Sequence, residues 1–309
     1  MHKYVIKRLF FVIPTILVVT FIVYSIMELT PSSPGRAILG PQATQEQVDM
    51  LNADIGYDKP FFTRYINYIL NALQGDFGIS YKTRRPVFAE IFARFPTTLR
   101  LALMGVIGSA LIGIPLGVLS AVKQYSIVDA ISTFSALLLA AIPVFWFGMM
   151  LMLLFSLKLG WLPASGIGSW RHYVLPAVTL FLPGAAVILR MTRTTMLETI
   201  RQDYVRTAKA KGASRKRIIW YHSLKNALLP VITNLGMSFG FMLGGAVLTE
   251  AVFALPGLGT FIVSSIRSKD ITIVMGSIVF LALLFCFILL VVDLIYAFLD
   301  PRIKAQYSK

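Results

Sequence analysis

Charge is scarce in this chain. Only 14% of its 309 residues are charged, against roughly 25% in soluble domains, so the sequence is built for lipid rather than water. Acidic residues are scarcer still, 14 against 29 Lys and Arg, which leaves a net charge of +15. That excess does not mark a nucleic-acid binder, because the basic residues gather at the ends of apolar runs, as membrane topology requires. The single cysteine, Cys286, sits in an apolar run and excludes a disulfide framework. Three histidines, His2, His172 and His222, lie too far apart in sequence to suggest a metal-ligand cluster. No G-x-x-x-x-G-K-[ST] loop occurs, so ATP is not bound by that route. No Ser–His–Asp set, paired carboxylates or internal repeat stands out.

Long apolar runs are what the chain does have. A span needs about 20 apolar residues, and six stretches qualify: roughly 9–29, 99–122, 130–157, 174–191, 228–249 and 274–298. Lipid offers no hydrogen-bond partners, so each must be a helix. The first run is too long for a signal-peptide core and reads as an uncleaved span. With both termini cytoplasmic, 17 Lys and Arg fall on the inside, ten of them between Arg190 and Lys225. Only Lys158, Arg171, Arg267 and Lys269 fall in the two short outer loops. Loops beyond about 60 residues, such as that at 30–98, escape this bias.

The expected organisation is an all-α integral membrane protein. Residues 1–29 form the cytoplasmic N-terminus and first span, and 30–98 a folded extracytoplasmic loop. Residues 99–298 form a five-helix domain with a cytoplasmic loop at 192–227, and 299–309 a cytoplasmic tail. In the first loop, Thr44 and Gln47 suggest a capping box, with Val48, Leu51 and Ile55 on one face. Pro60 suits the first turn of a second helix, whose apolar stripe is Phe62, Ile66, Ile69 and Leu73. Gly113 and Gly117 in the second span, and Gly236, Gly240 and Gly244 in the fifth, form small-residue ridges for close helix approach. Acidic residues in or near lipid are Glu28, Glu250, Asp293 and Asp300. Glu250 lies at a span end, whereas Asp293 is deeper and reads as an internal polar lock, with proton coupling the alternative.

The stretch "DYVRTAKAKGASRKRIIW" at 203–220 is basic and helix-like. Asp203 stands near the positive end of a helix that runs to Lys211, Gly212 is a natural left-handed stop, and Ser214 can cap a second helix. Arg215, Lys216 and Arg217 fill the first turn of that helix, each opposing its dipole by about 0.3–1 kcal/mol at exposed sites. Topology or lipid headgroups alone would explain such charge, and so would docking of a cytoplasmic partner.

This stretch resembles the cytoplasmic loop of the dipeptide/oligopeptide branch of ABC-importer permeases. The resemblance extends to "GDFGIS" at 75–80, "HYVLPAVTL" at 172–180, "EAVFALPGLG" at 250–259 and "VDLIYAFLDPR" at 292–302. It implies the type I importer permease fold and a coupling helix seated in a groove of an ATPase, carried by Asp203, Tyr204, Arg206, Thr207, Ala208, Gly212, Arg215, Arg217 and His222, with Ala208 on the contacting face. Of the general Glu-Ala-Ala-x-x-x-Gly motif only Ala208 and Gly212 remain, because Arg206 and Thr207 replace the first two residues. His222 reads as a structural hydrogen-bonder.

The resemblance further implies a second homologous permease, two ABC ATPases that hold ATP and Mg, an extracytoplasmic solute-binding protein and no catalysis by this chain. Peptides are the expected cargo, with nickel complexes, glutathione or sugars as alternatives. Candidate path-lining residues are Pro143, Phe145 and Phe147 in the third span and Gly236, Gly240 and Gly244 in the fifth. An ATP-independent secondary transporter is the alternative class, but such proteins carry several ionisable residues near the bilayer midplane.

Overall fold

The computed structural model describes residues 2–29 and 33–299. Fourteen α-helices follow in order among them: α1 His2–Leu29, α2 Pro34–Leu39, α3 Gln45–Asp54, α4 Phe61–Leu73, α5 Val87–Val122, α6 Ile127–Ala141, α7 Val144–Leu151, α8 Val174–Ile200, α9 Asp203–Ala210, α10 Arg215–Arg217, α11 Leu224–Gly245, α12 Val247–Val252, α13 Leu258–Arg267 and α14 Ile271–Leu299. Wide π-helical turns at Met152–Lys158 and Ile218–Ser223 extend α7 and join α10 to α11. Among the described residues the only β pairing is one isolated bridge, Ile79 to Pro86.

Four helical stretches are long and apolar enough to cross a membrane: Val87–Val122, Trp170–Ile200, Arg215–Gly244 and Ile271–Val292. The bent pair Ile127–Ala141 and Val144–Lys158 makes a fifth if taken as one span, and α1 adds the shorter apolar stretch Ile13–Leu29. The chain divides into two compact units, one of 98–255 and the residues from 287, the other of 2–97 and 256–286.

In the first unit α8 packs against α6, α7 and α11. Gly113 and Gly117 let α5 lie directly on it. A Cβ at Gly117 would stand 2.7 Å from the Leu189 carbonyl oxygen, and one at Gly113 2.7 Å from that of Ala185. The expected continuous third span is instead broken, with α6 and α7 meeting at 101°. Pro143 has no N–H to continue the helix, and Ile142 before it is forced into extended backbone (φ −81°, ψ 129°). A uniformly apolar run hides this break. At the start of α6, Asp129 is buried and takes two hydrogen bonds from Arg193 of α8, Nε at 2.6 Å and Nη2 at 2.8 Å. The Ser120 hydroxyl and the Tyr125 N–H complete its shell. Glu250 is fully buried and accepts from the Thr98 hydroxyl at 2.6 Å. The side chain of Asp293, expected as a polar lock, lies outside the described residues, as does the tail with Asp300.

In the second unit the expected capping box is present. Gln47 N–H donates to Thr44 Oγ1 at 3.3 Å and Thr44 N–H to Gln47 Oε1 at 3.0 Å. Pro60 caps α4 instead of opening its first turn. Of the stripe Phe62, Ile66, Ile69 and Leu73, only Ile69 is half-buried and the others are exposed, so the stripe is not the packed face of α4. Phe61, Tyr65 and Tyr68 pack instead on Tyr24, Met27 and Ile271. These aromatics, with an ion pair from Arg64 to Glu28 at 2.7 Å, combine apolar burial with polar contacts that the stripe lacks.

Helix α5 begins at Val87, twelve residues before the expected second span. Glu90 and Arg94 interrupt the apolar run, yet they pair with each other one turn apart, and Arg94 lies over the Phe261 ring. The "GDFGIS" motif is a tight turn with Gly75 and Gly78 at positive φ, and it is tied to the head of α14. Ser80 donates to Asp270 at 2.5 Å, and Thr272 donates to the Ile79 carbonyl.

Candidate coupling segment and translocation path

Segment 203–223 folds as its residues direct. Asp203 opens α9, where its charge suits the helix N-terminus. The helix stops at Gly212 (φ +83°), with the Ala213 N–H donating to the Ala208 carbonyl at 3.1 Å and Gly212 N–H to that of Lys209 at 3.0 Å. A left-handed residue at this point closes the helix and turns the chain. Ser214 then caps α10 by accepting from the Arg217 N–H. Helix, turn and helix therefore stand where the sequence predicts them, apart from the π-helical turn holding His222.

Helix α9 has two faces. Val205 is buried and Ala208, one turn on, is half-buried beside it, while Asp203, Tyr204, Arg206, Thr207 and Lys209 are exposed. Ala208 therefore lies on the side turned toward the body of the unit, because it follows Val205 by three residues and shares its face. Ala208, expected on the face that contacts an ATPase, is thus half-buried and borders the exposed residues of α9. Tyr204 is the tie that sequence reading misses: its hydroxyl accepts from Asn226 Nδ2 of α11 at 2.8 Å. Arg206 and Asp203 form only a solvent-exposed pair at 3.5 Å, which contributes little. Thr207 donates back to the Asp203 carbonyl.

Arg215 and Arg217 are exposed beyond the turn, and so are Trp220 and Tyr221. The carbonyl of His222 accepts from Asn226, and its ring meets Tyr221 edge-on. The exposed surface of the segment is thus basic and aromatic, a composition enriched in the Arg and Tyr that anchor protein interfaces.

The six expected path residues are not gathered at one point among the described contacts. Pro143 is the N-cap of α7 at the break, Phe145 is exposed and Phe147 half-buried. Gly148, just after them, is the close-packed position, held between Thr179 and Phe253. On α11, a Cβ at Gly236 would run into Val292, whereas one at Gly244 would meet nothing within 4 Å. Gly240 is half-buried. The glycine ridge therefore changes role along its length, from internal packing at one end to an open surface at the other.

Long apolar helices with a capped, basic helix–turn–helix between two of them mark an integral membrane protein, and comparison with known proteins gives its class. Residues 113–305 match the family of binding-protein-dependent transport system inner membrane components, and residues 1–102 match the N-terminal region of the same components. The chain belongs to this family and is a permease subunit of an ABC importer, a multi-pass inner-membrane protein.

Among its relatives is the glutathione transport system permease protein GsiC of Escherichia coli strain K12, 40% identical over 304 residues, covering 98% of this chain and 99% of that one. The protein of that name from Shigella flexneri serotype 5b is equally similar. The fold is also that of a solved chain from the MetNI methionine ABC transporter in inward-facing conformations. The TM-score is 0.56 at 21% identity, over 69% of this chain and 97% of that one. A chain of an amino acid ABC transporter gives 0.53 at 14% identity, over 67% and 93%.

Proposed function

We propose that this chain forms part of the translocation path for short peptides, glutathione among them, as the non-catalytic half of a paired permease. The observation that carries this reading is identity of 40% along essentially the whole length of a glutathione permease. In the proposed assembly a second homologous permease completes the path, and a solute-binding protein delivers cargo on the far side. Two ATPases bind ATP and Mg, and they engage α9, with Ala208 in the contact, together with Arg215 and Arg217. Both termini and segment 203–223 are then cytoplasmic, in keeping with the bias of basic residues. Pro143, Phe145, Phe147, Gly240 and Gly244 are the proposed path-lining set.

An ATPase can move this subunit only through a rigid lever. Gly212 at the turn and the Tyr204–Asn226 hydrogen bond supply that stiffness. The test is uptake of labelled glutathione and of a labelled dipeptide in cells lacking the native system, restored with the full transporter. Both cargoes should enter, each competing with the other. Gly212→Val forces a branched residue into the left-handed region at a cost of about 1–2 kcal/mol. It should cut uptake at least ten-fold at unchanged permease level and reduce the ATPase that co-purifies. Full uptake by Gly212→Val, or entry of neither cargo with the wild type, overturns the proposal.

A further inference from the structure

Helix α4 divides its circumference into three sectors. Phe61, Arg64, Tyr65, Tyr68 and Ala72 are at least partly covered, with the aromatics and Arg64 turned to α1 and the head of α14. Thr63, Asn67 and Asn71 form an exposed polar strip. Phe62, Ile66, Leu70 and Leu73 form an exposed apolar strip, at 65%, 53%, 51% and 80% exposure. At 100° per residue those four fall within one quarter of the helix surface, continuous and uninterrupted by charge.

The packed sector fixes the depth of the helix. Tyr65 Oη donates to the Leu17 carbonyl of α1 at 3.0 Å and lies 3.1 Å from the Thr20 hydroxyl. Arg64 of the same turn reaches Glu28. Leu17 is twelve residues from the end of α1 at Leu29, about 18 Å along the axis, within a hydrocarbon core about 30 Å thick. Exposed apolar residues of α1 continue over this whole interval, at Leu17, Val18, Phe21, Ile22, Ile26 and Leu29. A bilayer around these residues would reach the end of α1, and a helix seated beside its last three turns would not stand clear in water.

We infer that α4 is a membrane-inserted interfacial helix, with Phe62, Ile66, Leu70 and Leu73 buried in lipid acyl chains of the leaflet on the Leu29 side. Its occupant is lipid, because Tyr65 seats α4 beside Leu17–Leu29 of α1, a stretch that is itself apolar and exposed. A 13-residue helix is too short to span, and with an exposed apolar strip on one side it suits a position along the interface. The polar strip has its own outlet. Asn67 and Asn71 line a cavity of about 200 Å³ together with Tyr57, Tyr68 and Tyr81. The cavity thus offers phenol hydroxyls and side-chain amides. The helix thereby separates a polar pocket from oil, with Arg64 and Glu28 neutralising each other at the end of α1. Helix α4 then lies in the membrane beside α1 and not above it.

The test uses the complete transporter in liposomes, with Cys286→Ser as background. Single variants Phe62→Cys, Ile66→Cys, Leu70→Cys and Leu73→Cys are compared with Thr63→Cys, Asn67→Cys and Asn71→Cys. All seven positions are exposed, and Phe62→Cys gives up the edge-on contact of its ring with Phe61, so Ile66→Cys and Leu70→Cys carry the comparison. The apolar set should react with a membrane-impermeant maleimide at least ten-fold more slowly than the polar set. Nitroxides at the apolar set should collide with dissolved oxygen in preference to a water-soluble nickel chelate. Ile66→Trp, which keeps the face apolar, should be quenched by lipids brominated on the acyl chain. Rapid maleimide reaction at Ile66→Cys and Leu70→Cys would put the face in water and overturn the inference. Slow reaction without oxygen collision or bromolipid quenching would mean that protein covers the face, which overturns it equally.

Discussion

At the scale of single residues, the most constrained polar contact described is Asp129 with Arg193. Two parallel N–H to oxygen bonds tie the start of α6 to α8, and the carboxylate also receives Ser120 and Tyr125. Charge-assisted pairs of this bidentate kind are strong and geometrically specific. Asp129→Ala leaves a guanidinium without its partner against a buried site, which typically costs about 3–5 kcal/mol. The thermal midpoint of the purified permease should fall clearly, whereas the double variant Asp129→Leu with Arg193→Met should recover much of the loss. Equal midpoints for wild type and Asp129→Ala would reject the lock.

Nothing local in the sequence announces this pair. An aspartate three residues after a capping serine reads as an ordinary complement to the helix dipole, and its partner lies 64 residues away. Tyr204 is illegible for the same reason, since Asn226 is brought to it only by the turn at Gly212. Gly212 itself is legible, because its chemistry is local: a glycine after a polar helical run and before a serine cap.

At the scale of elements, helix contacts divide by whether a glycine meets a neighbour. A Cβ at Gly117 would stand 2.6 Å from Cβ of Thr192 and 2.7 Å from the Leu189 oxygen, and a backbone atom cannot rotate away. Gly117→Ala should therefore force α5 off α8 and cost about 1–3 kcal/mol. Gly244→Ala has open space and should leave the stability of the purified chain unchanged. Thermal unfolding of the two variants side by side checks the contrast, and equal midpoints would refute it.

Spacing in the sequence marks both ridges equally, because it records that residues are small and not what faces them. The apolar runs themselves are legible, since lipid demands about 20 residues of oil. Their ends are less so. Glu90 and Arg94 conceal the true start of α5 by neutralising each other, and the third run conceals a 101° bend, since hydropathy is blind to a missing N–H.

At the scale of the whole molecule, the sidedness proposed from the basic residues has a direct check. In a Cys286→Ser background, Lys82→Cys and Ser165→Cys should label from outside intact cells. Lys209→Cys should label only after permeabilisation. All three positions are exposed, so burial does not decide the result. Labelling of Lys209→Cys from outside would reverse the orientation and remove segment 203–223 from any contact with an intracellular ATPase. The break at Pro143 bears on the solvent this subunit must carry with it. A proline has no N–H to return to the Leu139 carbonyl, and every helix end leaves further carbonyls without intrahelical partners. Acyl chains donate no hydrogen bonds, and each orphan left in oil costs several kcal/mol. The final turn of α6 must therefore be wetted or met by a polar neighbour, so the elbow of the third run is a place where the subunit needs something other than oil.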